Sequence, residues 1–183
     1  FNGWGAQGSW ARWDRDDKIA GFVADKVQAK RIRSDLVNEG GGIHVNGAGV
    51  VMLTETVQLG EERNPDWARA DVEAEIHEKL GTNKAIWIRR GLTRDYDDFG
   101  TKGHIDIVAC FADENTILYH EQTNPEHPDH SVSHEVRRTL EEAGDFKLIG
   151  VPAPTTLRDE HGVVDYSYIN HYICNGAVIL CAF

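Results

Sequence analysis

Apolar and polar positions change period several times along the chain, and each change predicts an element. Ile19, Phe22, Val23 and Val27 fall at i, i+3, i+4 and i+8 behind Asp14-Arg15-Asp16-Asp17, the pattern of a capped amphipathic helix. Residues 31–38 read as a strand that delivers Glu39 to a glycine-rich corner. Two short apolar runs follow, 43–45 and 50–54, joined by an Asn46-Gly47 hairpin signal. A helix is expected after Asn64-Pro65, with Val72, Ile76 and Leu80 on one face and Gly81 as its stop, and then a strand over 85–88. The same order recurs downstream: strands over 105–111 and 116–120, a helix over 131–143 ended by Gly144, and a strand over 146–151. Residues 152–162 read as a linker. Strands over 168–174 and 177–183, turned at Asn175-Gly176, open a third round.

Ile43, Ile105 and Ile169 therefore mark an internal repeat, spaced 62 and 64 residues apart. Each complete unit is strand–strand–helix–strand, or ββαβ. Units of this kind favour a ring-like α/β arrangement over a doubly wound sheet, in which strands and helices alternate singly. Polar residues at equivalent points of a ring converge on its axis, so the repeat itself predicts a polar pocket.

Composition narrows the function classes. The 183 residues, with 40% hydrophobic content, suffice for one domain with a sizeable core. No apolar run approaches the roughly 20 residues of a membrane span. A net charge of −11 argues against a nucleic-acid surface. It leaves open a cationic ligand or simple solubility. Cys110, Cys174 and Cys181 are an odd count without CxxC spacing, and read as reduced, buried cytoplasmic thiols. Phe1 at the start and Phe183 inside a strand-like run read as the middle of a longer protein.

Three groups of residues carry candidate chemistry. On a strand, His104 and Asp106 at i and i+2 project to one face, where imidazole and carboxylate together can transfer protons and bind a cation. The alternative is a structural His–Asp pair at a strand end. Glu39, between a strand and Gly40-Gly41-Gly42, can pair with a histidine of the neighbouring unit or remain a solvated turn residue. The glycines lack the Lys-Ser/Thr and following helix of a phosphate loop. His127, His130 and His134 are spaced as zinc ligands could be, but the spacing crosses a proline and a helix start, and a solvated loop is the expected reading. No cysteine presents itself as a nucleophile.

Phe1-Asn2-Gly3-Trp4-Gly5, Glu39-Gly40-Gly41, Trp87-Ile88-Arg89-Arg90-Gly91-Leu92, Gly103-His104-Ile105-Asp106 and Ser167-Tyr168-Ile169-Asn170 follow one another in an order that resembles the agmatine deiminases and bacterial-type peptidylarginine deiminases. The resemblance covers nearly the whole chain. It implies a pentein-type α/β propeller of five ββαβ units around a pseudo-fivefold axis, about three of them within residues 1–183. It also implies hydrolysis of a guanidinium group through a covalent cysteine thiouronium intermediate, without metal or cofactor. Agmatine would give N-carbamoylputrescine and ammonia. By the same resemblance Asp106 holds the guanidinium, His104 is the acid and base, Glu39 holds His104, and Asn170 is a further substrate contact.

Two departures from the family pattern stand out. The family's nucleophile motif and a second guanidinium-binding Asp have no match here; Gly40-Gly41-Gly42-Ile43-His44 imitates the former, but Val45 stands where the thiol belongs. Phe99 and Gly100 replace the acidic residues expected ahead of the Thr-x-Gly-His run, and Asp97 and Asp98 are displaced upstream. That leaves open arginine or peptidyl arginine, whose carboxylate calls for a basic partner such as Arg12, Arg15 or Lys102. A non-catalytic guanidinium binder and a metallohydrolase are further alternatives, and homo-oligomerisation is left open. No nucleic-acid or membrane partner is expected.

Overall fold

The computed structural model describes residues 1–6 and 12–182. Its centre is two three-stranded sheets of the same topology. In the first, β1 (Ile43–Val45) pairs antiparallel with β2 (Val50–Thr54), which pairs in parallel with β3 (Lys84–Ile88). In the second, β4 (Ala109–Phe111), β5 (Thr116–Glu121) and β6 (Lys147–Pro152) repeat that order. Each parallel pair needs a crossover. The helix Arg69–Leu80 supplies the first and the helix Asp129–Glu142 the second. The central strands are apolar on both faces, as strands covered on both sides must be: Val51, Met52 and Leu53 are wholly buried in β2, and Ile117 in β5.

The two sheets share one core. Met52, Ile86 and Ile88 of the first sheet belong to the same buried cluster as Ile105, Ile117 and Tyr119. Val132, Val136 and Leu140, one face of the second crossover helix, complete it. The segment carrying His104 is thus gripped between the sheets. Val72 and Ile76 of the first crossover helix bury against Val51 and Leu53. Gly81 ends that helix with φ 68°, the left-handed stop its position predicts.

Several expected elements differ. The helix expected behind Asp14 is a 3-10 turn, Asp16–Lys18, followed by Ile19–Lys26; its apolar stripe is exposed, with Phe22 at 65%, and no side chain caps it. Residues 31–38 form no strand, because the Asn64 side chain takes the place of a partner strand, accepting from Val37 N and donating to Val37 O. Leu80 is exposed rather than packed beside Val72 and Ile76. The expected linker contains the small pair β7 (Arg158–Asp159) and β8 (Gly162–Val163). β9 (His171–Cys174) and β10 (Ala177–Leu180) form the third hairpin through Asn175-Gly176; Phe183 lies outside the described residues.

The repeat register also shifts. Ile43 opens a strand, but Ile105 opens the 3-10 turn Ile105–Ile107, and β4 begins only at Ala109. Glu39 and His104 are then the matching residues, each standing directly before a 3-10 turn, Gly40–Gly42 in one case and Ile105–Ile107 in the other.

Candidate active site

His104 and Asp106 come together on a tight turn rather than on a strand. The chain approaches through Gly103, held at φ 111°, where a side chain would strike the hydroxyls of Thr56 and Tyr96. The approach is fixed by Asp95, 5% exposed, whose carboxylate accepts hydrogen bonds from Thr101 N (2.5 Å), Thr101 Oγ1 (2.6 Å), Gly103 N (2.7 Å) and His104 N (3.1 Å). Thr54, at the end of β2, donates its hydroxyl to Gly103 O at 2.6 Å. The backbone of the corner is therefore satisfied on both sides, as a buried loop requires.

Glu39 reaches the same point from the first unit. Asn38, Gln58 and Asn64 form a ladder of side-chain amides beneath it. Asn38 Oδ1 accepts from Glu39 N, Asn38 Nδ2 donates to Gln58 Oε1, and Gln58 Nε2 donates to Gly42 O. Asn64 Nδ2 in turn donates to Gln58 O. The Glu39 side chain, 6% exposed, meets His104 Nε2 through Oε2 at 3.0 Å. On the other ring nitrogen, His104 Nδ1 lies 3.9 Å from Asp106 Oδ1. With Nε2 donating to Glu39, the lone pair of a neutral imidazole sits on Nδ1, on the Asp106 side.

Gly41 lines this space. A Cβ there would collide with Asp106 Oδ2 and His104 Nδ1, and would lie 2.9 Å from Asp106 Cγ. Within the glycine run only Gly41 brings backbone against these two side chains; Gly42 faces Asn38 and Val57, and Gly40 faces open space.

Electrostatics separate the two carboxylates. Burial alone would raise Glu39, but hydrogen bonds from His104 and Arg63 hold it below the usual carboxylate range. Burial pushes Asp106 above its ordinary value, opposed by His104 and reinforced by the charge of Asp95. Glu39 is a fixed anion, whereas Asp106 is an anion in search of a cation.

The other sequence candidates lie elsewhere. Asn170 is exposed in the turn before β9 and shares no hydrogen bond with Glu39, His104 or Asp106 among the described residues. Cys110 is buried, as expected, and its thiol is pushed up to about 11 by that burial. Cys174 is half-buried and Cys181 exposed, contrary to the buried positions expected of both. The histidine triplet is not a solvated loop. His127 is buried at the start of the second crossover helix, accepting from Asp129 N at 3.2 Å, because the loop folds back onto the core. His130 binds Gln122 O, and His134 is exposed. Among the described residues no cluster of His, Cys, Asp and Glu could hold a metal ion, and no helix is long and apolar enough to cross a membrane.

Sequence reasoning missed Arg63 and Asp95. Arg63 carried one usable signal: a buried glutamate and histidine need a compensating cation, and Arg63 stands beside the Asn64-Pro65 turn already singled out. Asp95 sits among ordinary loop residues, and nothing in its neighbours announces four hydrogen bonds.

A protein of Streptomyces avermitilis, provisionally named agmatine deiminase, is 58% identical over 190 residues, which cover 100% of this chain and 55% of that protein. Agmatine deiminase of Stutzerimonas stutzeri is 31% identical over 209 residues, covering 100% of this chain and 56% of that protein. A cysteine-to-serine variant of C. jejuni agmatine deiminase with substrate bound superposes with a TM-score of 0.86 at 26% identity, over 97% of this chain and 52% of that one. The chain spans about half the length of the curated relatives it matches. The model of the Porphyromonas-type peptidyl-arginine deiminases matches residues 1–183, and the chain belongs to that family.

Proposed function

We propose that the protein deiminates a small guanidinium compound, agmatine in the first instance, to N-carbamoylputrescine and ammonia. The observation that carries this reading is the Glu39–His104–Asp106 row, with the buried imidazole held between a buried carboxylate at 3.0 Å and a half-buried one at 3.9 Å. A guanidinium is planar, permanently charged and donates as a fork, and the Asp106 carboxylate is the matching acceptor. Partial burial raises its pKa above the ordinary value, so a bound cation stabilises its charged form. A substrate nitrogen held by Asp106 lies within reach of His104 Nδ1. His104 takes the proton of the attacking thiol on Nδ1 and gives it to departing ammonia. It then takes a proton from the water that attacks the thiouronium carbon and returns it to the sulfur as the C–S bond breaks, while Glu39 stabilises the imidazolium each time it forms.

The attacking cysteine belongs to a segment outside residues 1–183. None of Cys110, Cys174 and Cys181 has a hydrogen bond with Glu39, His104 or Asp106 among the described residues. In this proposal the two sheets and the β9–β10 hairpin belong to a five-unit propeller whose axis the site faces, in a cytoplasmic enzyme of polyamine metabolism. Agmatine is preferred to arginine because Lys102, one basic candidate for an arginine carboxylate, spends its ammonium on Tyr96 O and Asp97 O, both at 2.9 Å. Asp97, Asp98 and Asp165 line one cleft beside the corner, where Arg94 is already paired with Asp159, and this excess of acid suits a second positive charge.

The test uses the full-length protein with agmatine, arginine and a peptide ending in arginine, reading ammonia release and the mass of acid-quenched protein. Ammonia from agmatine, with an adduct lighter than intact substrate by one ammonia on a cysteine outside this chain, is the expected result. Ammonia from arginine alone would move the substrate assignment to the second reading. No ammonia and no adduct from any of the three would overturn deimination.

A further inference from the structure

Arg63 is the buried cation that the catalytic reading does not use. Its side chain is 2% exposed, and its surroundings leave it no route to a substrate. Nε donates to both oxygens of Glu39, each at 3.1 Å, and Nη2 lies 3.1 Å from Glu39 Oε2. Nη2 also donates to Thr101 O at 2.8 Å. One guanidinium therefore ties the Glu39 carboxylate to the loop that presents His104. The turn bearing Arg63 is anchored by Arg63 N to Gly60 O. The amino-terminal Phe1-Asn2-Gly3-Trp4-Gly5 motif closes over it: Asn2 Nδ2 donates to Glu62 O, and a Cβ on Gly5 would lie 3.7 Å from Arg63 Nη1.

We propose that Arg63 is the positioning residue of this site. It fixes which oxygen of Glu39 meets His104 Nε2, shares the charge of that carboxylate, and ties it to the loop that presents His104. A buried carboxylate facing only a histidine favours the protonated ring strongly. With Arg63 on the same carboxylate, the Glu39 charge is shared between the guanidinium and the ring. The charged groups facing His104 are Glu39 and Asp106 at its two nitrogens and Asp95 at its backbone N–H; Lys102 is turned away onto Tyr96 O and Asp97 O. Arg63 is thus the cation balancing a cluster of carboxylates. Lysine cannot replace it fully, since a point charge lacks the planar fork that holds Glu39 and Thr101 at once. The catalytic part of the proposal rests on the deimination reading; the coupling of Arg63 to His104 does not.

The experiment titrates His104 in full-length protein carrying 15N-labelled histidine, for wild type, Arg63→Met and Arg63→Lys, with His104→Gln to assign the resonance. The pH profile of ammonia release from agmatine is recorded alongside. In Arg63→Met the His104 midpoint should move to higher pH by about one unit or more. The limb of the pH profile governed by His104 should move with it, and kcat should fall while KM changes little. Arg63→Lys should recover part of both effects. An unmoved midpoint in the methionine variant, or a rise in KM at constant kcat, would overturn the proposal. If the methionine variant does not fold, the lysine variant decides: titration and turnover equal to wild type would overturn it, and a partial shift with reduced kcat would support it. A protein that releases no ammonia from any guanidinium but shows the shift would overturn deimination and leave the coupling standing.

Discussion

His104 and His120 are both buried, at 6% and 3% exposed, and each bonds a residue brought from far along the chain. His104 meets Glu39, and His120 Nδ1 meets Ser167 Oγ at 3.1 Å. Their neighbourhoods differ in charge and in completeness. Around His104 stand two carboxylates and, behind one of them, Arg63, with the backbone bonded by Asp95. His120 has a hydroxyl for a partner and Asp129 and His127 at greater range. Burial pushes it down to about 4, which the Asp129 charge only partly offsets and His127 reinforces. His127 Nε2 and Asp129 Oδ2 have no hydrogen-bond partner among the described residues. A buried histidine with a carboxylate in contact can exchange a proton; one whose only hydrogen-bond partner is a hydroxyl stays neutral and holds the fold.

The largest break in this contrast should come from the carboxylate facing the substrate. Asp106→Asn removes the half-buried carboxylate that would hold the guanidinium, and kcat/KM for agmatine should fall by about 10²–10³-fold, read by ammonia release in the full-length protein. Gly41→Ala should be as damaging, because its methyl group enters the space between His104 and Asp106; retained turnover would show that this space is not the site. In wild type, agmatine affinity should weaken as pH falls through the raised Asp106 pKa, and calorimetric titration at descending pH checks this.

A smaller effect should appear at His120, on stability alone. Its folded-state pKa of about 4 lies below the 6.5 of the free side chain. Between those values the unfolded chain binds the proton that the folded chain refuses, so stability should fall as pH drops from 6.5 towards 4. His120→Gln should flatten that slope in urea unfolding at pH 7 and pH 5, without displacing the pH profile of turnover. The smallest effect is expected at Cys110→Ala: a stability change within about 1 kcal/mol and no loss of activity.

The sequence foretold different parts of this picture unequally. β1, β2 and both crossover helices were legible because their apolar periods and glycine stops are local properties. The strand expected over 31–38 failed: residues 31–35 are exposed, and at Val37 the Asn64 side chain, from beyond the first hairpin, stands where a partner strand would. Glu39, His104 and Asp106 were named correctly as neighbours, though the geometry joining them was not foreseen: periodicity cannot tell a strand from a 3-10 turn over three residues. Arg63 and Asp95 stayed hidden because their meaning lies in partners 24 and 9 residues away, respectively, and in burial.

The most direct test of the account compares ammonia release from agmatine by full-length protein carrying His104→Gln or His120→Gln, at one pH and saturating substrate. The account predicts a loss of about 10²–10⁴-fold for the first and near-normal turnover for the second. Equal rates in the two variants, or near-normal turnover without His104, would contradict it.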